Sequence, residues 1–258
     1  MSVADAAGRD DAGTTWLFDL GNSRLKSARV QAGVEGGIGE TDAVAHDGHA
    51  FAPGWESHLP ARCDAAWIAS VAAPGLRDAL AAALASRGAR VQLARTQAAF
   101  AGLRIAYADP ARLGIDRFLA LLAAHARDPG AAWLVVGVGT ALTIDLLDAG
   151  AHAGGRIAPS PALMRAALHA RVPALPATGG TYAAFAADTD DALASGCEGA
   201  ALGLIAQSLD VATARAGRVP ALLLHGGGAD ALLPHLPGAM HAPALVLEGL
   251  AHYARATA

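Results

Sequence analysis

One local pattern occurs twice in this chain, and the repetition limits the fold more than any other feature of its 258 residues. An apolar run, Trp16-Leu17-Phe18, carries Asp19 into a glycine turn. Leu20-Gly21-Asn22-Ser23-Arg24-Leu25-Lys26 follows, and then a second run, Ser27-Ala28-Arg29-Val30. Val135-Val136-Gly137-Val138-Gly139-Thr140-Ala141-Leu142-Thr143-Ile144-Asp145 is again apolar run, glycine turn, hydroxyl residue and second strand. Gly21 corresponds to Gly139, and Ser23 falls close to Thr140 and Ala141. Such a loop can turn backbone N–H groups and a hydroxyl toward a phosphate while the aspartate at its entry holds a metal ion. Two hairpins of this kind, one per half, predict two related subdomains that close on one nucleotide.

Composition removes several alternatives. With 53% hydrophobic and 16% charged residues the chain is globular rather than disordered. Its net charge of −4 and the lack of any Lys/Arg cluster argue against a nucleic-acid partner or an anionic membrane surface. Cys63 and Cys197 stand far apart without metal-type spacing, as expected of free thiols in a reducing cytoplasm. Residues 1–14 are small, polar and acidic, with neither a basic nor an apolar segment, and read as a disordered leader rather than a signal peptide. The longest apolar stretch, Ala131 to Ile144, is too short to span a bilayer. The expected division is 1–14 leader, 15–113 first subdomain and 114–258 second subdomain.

Residues 31–61 suggest short edge strands and loops. Ala65 to Val71 reads as a buried strand, followed by an Ala/Leu helix from Leu76 to Arg87 with Pro74 near its first turn. Arg90 to Leu93 is a short strand. A helix begins near Leu113, with Ile115, Phe118, Leu119 and Leu122 on one face, and stops before Asp128-Pro129-Gly130. After the second hairpin, Ser160 to Ala170 reads as a helix and Val172 to Thr189 as a loop. Asp190 to Arg215 reads as a long helix interrupted near Gly196 and Gly199. A strand, Ala221 to His225, leads to Gly226-Gly227-Gly228; helix 229–236, strand 244–246 and helix 248–255 complete the chain. This alternation favours α/β layers.

Taken singly, the chemistry-bearing residues are modest signals. Asp19 alone is an ordinary turn residue. The phosphate-loop pattern is absent, and Gly137-x-Gly139 lacks the third glycine of a dinucleotide fingerprint. Asp116 is the acid that a first helical turn favours through the helix dipole, and Arg117 an ordinary solvated neighbour. The three glycines 226–228 read either as a strand-to-helix turn or as a close approach to an adenine or ribose. His46 and His49 read as part of a solvated loop, and no Ser-His-Asp or Cys-His arrangement occurs.

Together, these residues are similar to a known set. The chain resembles the type III pantothenate kinases, the family that includes the Bvg accessory factor proteins, from about Trp16 to its end. The pieces run in the family's order: Asp19-Leu20-Gly21-Asn22-Ser23 with Lys26; Ser70-Val71 with Pro74; Tyr107 and Pro110; Gly114-Ile115-Asp116-Arg117; and Gly139-Thr140-Ala141 with Thr143 and Asp145. Gly154 to Pro159, Thr189 ahead of Ser195-Gly196, Gly226-Gly227 and Leu247-Glu248-Gly249-Leu250 complete the set. The resemblance implies an actin-like, sugar-kinase-like fold of two ribonuclease-H-like halves, and ATP-dependent phosphorylation of pantothenate, the first step toward coenzyme A. It implies that Asp19 to Lys26 (Asp19, Leu20, Gly21, Asn22, Ser23, Arg24, Leu25, Lys26) form the first ATP loop, with Asp19 toward Mg²⁺, and that Thr140 lines ATP in the second. Tyr107, Gly114, Ile115, Asp116, Arg117 and Thr189 would hold pantothenate, with Asp116 as base and the Arg117 fork toward the substrate carboxylate. It also implies a homodimer with substrate near the subunit interface and, in many members, a monovalent cation such as K⁺ or NH₄⁺. Three positions depart from the family pattern: Gly137 replaces the aspartate that binds this cation, Ser160 replaces a glycine after Pro159, and His225 replaces a threonine before the late glycines. Gly137→Asp is expected to create a K⁺ response. Two other readings remain: a degenerate member that binds nucleotide or pantothenate as a regulator, and another phosphotransferase or phosphohydrolase of the superfamily.

Overall fold

A computed structural model describes residues 14–31, 33–34 and 37–257. Residues 1–13 of the expected leader lie outside these. Thr14 is tied down: its backbone N–H and its hydroxyl both donate to the Asp64 carboxylate, at 2.6 and 2.9 Å.

The elements in chain order are β1 (Thr15–Leu20), β2 (Arg24–Val30), β3 (Ile38–Ala45), β4 (Ala65–Ser70), α1 (Pro74–Ala85), β5 (Arg90–Leu93), β6 (Ala99–Phe100), β7 (Leu103–Arg104) and α2 (Ile115–Arg127). They continue with β8 (Ala132–Val138), β9 (Ala141–Asp148), β10 (Ala151–Pro159), α3 (Pro161–Arg171), α4 (Thr189–Ala216), β11 (Ala221–His225), α5 (Ala229–Leu232), β12 (Met240–His241) and α6 (Leu245–Thr257). The first sheet has the order β3-β2-β1-β4-β5. The second, read as β10-β9-β8-β11-β12, repeats it, with the β6–β7 hairpin added beyond β10. In each sheet the first three strands are antiparallel and the last two run parallel to the central one. The hairpin repeat in the sequence is thus the visible part of a repeat of whole sheets.

Strand side chains alternate between faces, and that alternation builds the layers. On β1, Phe18 and Leu20 pack outward against Leu76, Leu80 and Leu84 of α1, while Leu17 faces inward. On β8, Leu134, Val136 and Val138 pack outward with Ala201, Ile205 and Ala212 of α4, while Trp133 and Val135 face inward. Both inner faces close on α2 and α6, which lie between the sheets. These two helices touch backbone to backbone. A Cβ on Gly249 of α6 would overlap the Leu119 carbonyl of α2, coming within 2.6 Å of its carbon. An ion pair between Arg127 and Glu248 joins them beyond this crossing.

Some expected elements differ. Residues 189–216 form one continuous helix with no break at Gly196 or Gly199, since a glycine costs a helix only about 1 kcal/mol and the flanking Ala and Leu residues carry it. Leu245 and Val246, part of the expected last strand, are buried in the first turn of α6, and the strand lies earlier at Met240–His241. A short apolar run does not distinguish strand from buried helix. The expected helix 229–236 becomes four helical residues and a 3₁₀ turn at Pro234. Both cysteines are free and buried. Among the described residues no helix is long and apolar enough to cross a membrane.

Candidate active site

Strand alternation carries the inward faces of both sheets to one place, the cleft at the hairpin ends. In the first sheet Asp19 lies opposite Lys26 on β2 and Ala69 on β4. In the second, Gly137 lies opposite Thr143 on β9 and His225 on β11. The turns match as well: Gly21 N–H donates to Arg24 O at 3.0 Å, and Gly139 N–H to Ala141 O at 2.9 Å. Thr140 is exposed at the tip of the second turn, and its carbonyl accepts a 3.0 Å bond from the hydroxyl of Ser160. Ser160 also caps α3 by accepting from Leu163 N–H at 3.2 Å. The serine found in place of the family glycine therefore ties the second loop to a helix start.

Asp116 enters the cleft from the first turn of α2. One carboxylate oxygen accepts from the N–H of Arg117 at 2.8 Å; the other makes no protein hydrogen bond. Gly114 leaves room for this arrangement, because a Cβ there would lie 2.5 Å from Asp116 Oδ1. Burial raises the Asp116 pKa above the usual carboxylate value. Asp19 also lacks a hydrogen-bond or ion-pair partner among the described residues. Burial, and then the neighbouring Asp116 charge, raise it to about 7, against a smaller pull from Lys26. Two buried carboxylates, one of them raised further by the other's charge, form a donor set suited to a divalent ion. No group of three or more His, Cys, Asp or Glu residues able to hold a metal occurs among the described residues. Asp19 would therefore share such an ion with ligands from the substrate.

Arg117 sits differently from the expectation. It is only 6% exposed, and its fork is closed on Asp145: Nε donates to Oδ2 at 2.8 Å and Nη2 to Oδ1 at 2.6 Å. Nη1 donates to the Tyr107 hydroxyl at 3.3 Å. His152 completes the group, with Nε2 3.0 Å from Asp145 Oδ1 and its ring stacked on Tyr107. Burial alone would raise the Asp145 pKa, but His152 and Arg117 hold it below its ordinary value. Gly155 is shaped to this pair: a Cβ there would overlap Asp145 Oδ1 and lie 2.5 Å from Arg117 Nη2 and 2.6 Å from Ile144 O. The fork expected for a substrate carboxylate thus fixes Asp145 and orients Tyr107. Asp145 and His152 were not singled out for this role from the sequence, because only the β9–β10 register brings them to α2.

The structure also reassigns His46. Its Nδ1 accepts from Gly48 N–H and its Nε2 lies 3.1 Å from Gly21 O, so one neutral tautomer buttresses the first loop. The residue is half-buried rather than part of a solvated loop. Asn22, Ser23 and Arg24 are exposed along that loop, Leu20 and Leu25 anchor it in the core, and Arg24 reaches toward Gly227. Lys26 Nζ donates to Pro243 O, just ahead of α6, at 3.4 Å. Ile115 is buried beneath Asp116. Thr189 is exposed at the start of α4, and no hydrogen bond links it to the Asp116 group.

The model of the type III pantothenate kinase family matches residues 16–210. A type III pantothenate kinase of Stenotrophomonas maltophilia (strain R551-3) is 56% identical over 241 residues, 93% of this chain and 96% of that protein. Among solved structures, one described as a Baf family transcriptional activator from Campylobacter jejuni aligns over 91% of this chain and 94% of its own, with a TM-score of 0.59 and 20% identity. One described as a 2-dehydro-3-deoxygalactonokinase from Sinorhizobium meliloti covers 94% and 99%, with a TM-score of 0.55 and 16% identity. These two share the fold of this chain. By sequence, the chain belongs to the type III pantothenate kinase family.

Proposed function

We propose that this protein transfers the γ-phosphoryl group of ATP to the primary alcohol of pantothenate, giving ADP and 4′-phosphopantothenate. The observation that carries the reading is the pair of buried carboxylates, Asp19 with no hydrogen-bond partner among the described residues and Asp116 with one oxygen held by the Arg117 N–H, between two matching hairpin loops in a chain of this family. Phosphoryl transfer depends on positioning and charge neutralisation more than on covalent chemistry. The Gly21–Ser23 loop and Lys26 hold the polyphosphate from one side, and the Gly139–Ala141 loop with Thr140 from the other. Asp19 would hold Mg²⁺, which supplies neutralisation of the charge developing on the transferred group. Pantothenate lies along Tyr107, Gly114 and Ile115, with Tyr107 held by Arg117. As the alcohol oxygen bonds to the γ-phosphorus and the bond to ADP breaks, the alcohol proton passes to the free oxygen of Asp116. A coupled assay of ADP release, with and without pantothenate, tests the reading. Folded protein that releases no pantothenate-dependent ADP at high concentration would overturn it.

The same reading includes a homodimer. Leu202, Leu204 and Leu209 of α4 pack within the chain's own core and leave no apolar face of their own for a partner. The unpartnered apolar surface lies nearby instead. A groove of about 740 Å³ between α3 and α4 is lined by Leu163, Met164, Leu168 and Leu193, and the Phe185 side chain beyond it is fully exposed. Thr189 stands one turn before the groove residue Ala192. A second copy on this face would place Thr189 beside the subunit interface. Light scattering at micromolar concentration that gives the monomer mass would refute the dimer.

A further inference from the structure

The family's monovalent cation does not fit this chain's second loop. Position 137 carries no side chain, and the space for one is already filled. A Cβ on Gly137 would lie 2.6 Å from Thr143 Oγ1, 2.9 Å from His225 Nε2 and 3.1 Å from His225 Cε1. The imidazole reaches this space from the neighbouring strand, because His225 and Gly137 are register partners. Asp145, the carboxylate two residues beyond Thr143 on the same face of β9, is committed to Arg117 and His152. Lys26 approaches from the opposite sheet, closely enough to act on His225 electrostatically. The position therefore offers a small cation no free carboxylate and places a fixed positive charge nearby, which disfavours a second one.

We propose that the His225 imidazole occupies the place of a carboxylate-bound monovalent cation in the second phosphate loop, and that phosphoryl transfer here uses no K⁺ or NH₄⁺ activator. The imidazole makes no hydrogen bond to protein among the described residues, so a ring N–H is available to a phosphate oxygen. Burial and Lys26 hold its pKa down to about 4, so at neutral pH it acts as an uncharged hydrogen-bonding group. Gly137 and His225 then form a matched pair. Gly137→Asp alone would crowd both the imidazole and the Thr143 hydroxyl, so under this proposal the single change does not by itself create the expected K⁺ response. Removing the ring at the same time clears the His225 side, leaving the Thr143 hydroxyl, a side-chain tip, to turn aside.

The proposal rests on the kinase reading, so the test has two arms. In the first, MgATP binding is titrated in KCl, NaCl and tetramethylammonium chloride at equal ionic strength, without pantothenate. Affinities equal within about twofold are expected for the natural protein, with His225→Ala about tenfold weaker, the scale of one hydrogen bond to a charged group. In the second, pantothenate-dependent ADP release is measured in the same salts. The natural protein should show no salt preference, Gly137→Asp should lose rate in every salt, and Gly137→Asp/His225→Thr should recover rate in KCl. Tighter MgATP binding in KCl, or several-fold K⁺ activation of the natural protein, would overturn the proposal and leave the kinase reading intact. Absence of turnover in every salt would overturn the kinase reading, while the binding arm still decides the role of His225.

Discussion

Gly155→Ala tests how the buried Arg117–Asp145 pair is accommodated. The added methyl would overlap Asp145 Oδ1 and crowd Arg117 Nη2 at 2.5 Å and the Ile144 carbonyl at 2.6 Å. Ile144 O belongs to strand β9 and cannot swing away as a side-chain tip could. Either β10 moves off β9 or the carboxylate moves off the guanidinium. Overpacking of this kind costs about 1–3 kcal/mol, and disrupting one side of a buried ion pair about 3–5 kcal/mol. A loss of about 3 kcal/mol lowers the melting point of a chain this size by about 6–12 °C. Gly154→Ala is the control next door. Its φ of +115° strains an alanine, but no atom lies within 4 Å of the new methyl. Backbone strain alone costs about 1–2 kcal/mol. Thermal unfolding of both variants, with KM for pantothenate, separates the cases: only Gly155→Ala displaces Arg117 and thereby Tyr107, so only it should raise KM. A Gly155→Ala protein that melts within about 2 °C of the parent, or less destabilisation at 155 than at 154, would refute the steric picture.

Asp116→Asn should lower kcat by about 10²–10⁴-fold while changing the melting point little, since a first-turn acid contributes only about 0.3–1 kcal/mol to its helix; a near-normal rate would remove Asp116 from the role of base. Asp19 has a folded pKa raised from 3.8 to about 7, so the metal-free protein is favoured while this group stays protonated and should lose stability as the pH rises from about 4 through 7. Asp19→Asn should flatten that fall, and Mg²⁺ with ATP should offset it in the natural protein; identical pH profiles for the two proteins in calorimetry would contradict this origin. His46→Ala removes the ring that supports Gly21 O and should raise KM for ATP by about 2–10-fold, the scale of one hydrogen bond, with KM for pantothenate unchanged.

The hairpins that carry Asp19 and Thr140 were legible in the sequence because a glycine turn between two apolar runs is a local signal. The start of α2 at Gly114-Ile115-Asp116 was legible for the same reason. The buried group of Arg117, Asp145 and His152 was not, since its members come from three elements joined only by register and packing. Position 137 shows the limit most clearly. The missing carboxylate could be read from one residue, but its replacement stands 88 positions later, on a strand whose pairing with β8 the sequence does not announce. His46 reads as a solvated loop residue in the sequence because a histidine in a polar loop carries no mark of the carbonyl it supports. The continuity of α4 through its glycines was likewise decided by tertiary packing over local propensity.

The contact between Gly249 and Leu119 bears on how such a molecule moves. With no side chain between them, the two helix backbones form a fulcrum between the sheets. In a rotation about a fixed point, displacement grows with distance from that point. Asp116 lies three residues from Leu119, about 4.5 Å along the helix axis, whereas the turns at Gly21 and Thr140 lie out at the ends of their hairpins. Closure on a nucleotide would then swing the two loops through long arcs while Asp116 stays almost stationary. Coordinates with and without nucleotide should show the smallest shifts at Leu119 and Gly249. Shifts there as large as those at the loop tips would mean that the halves slide rather than pivot.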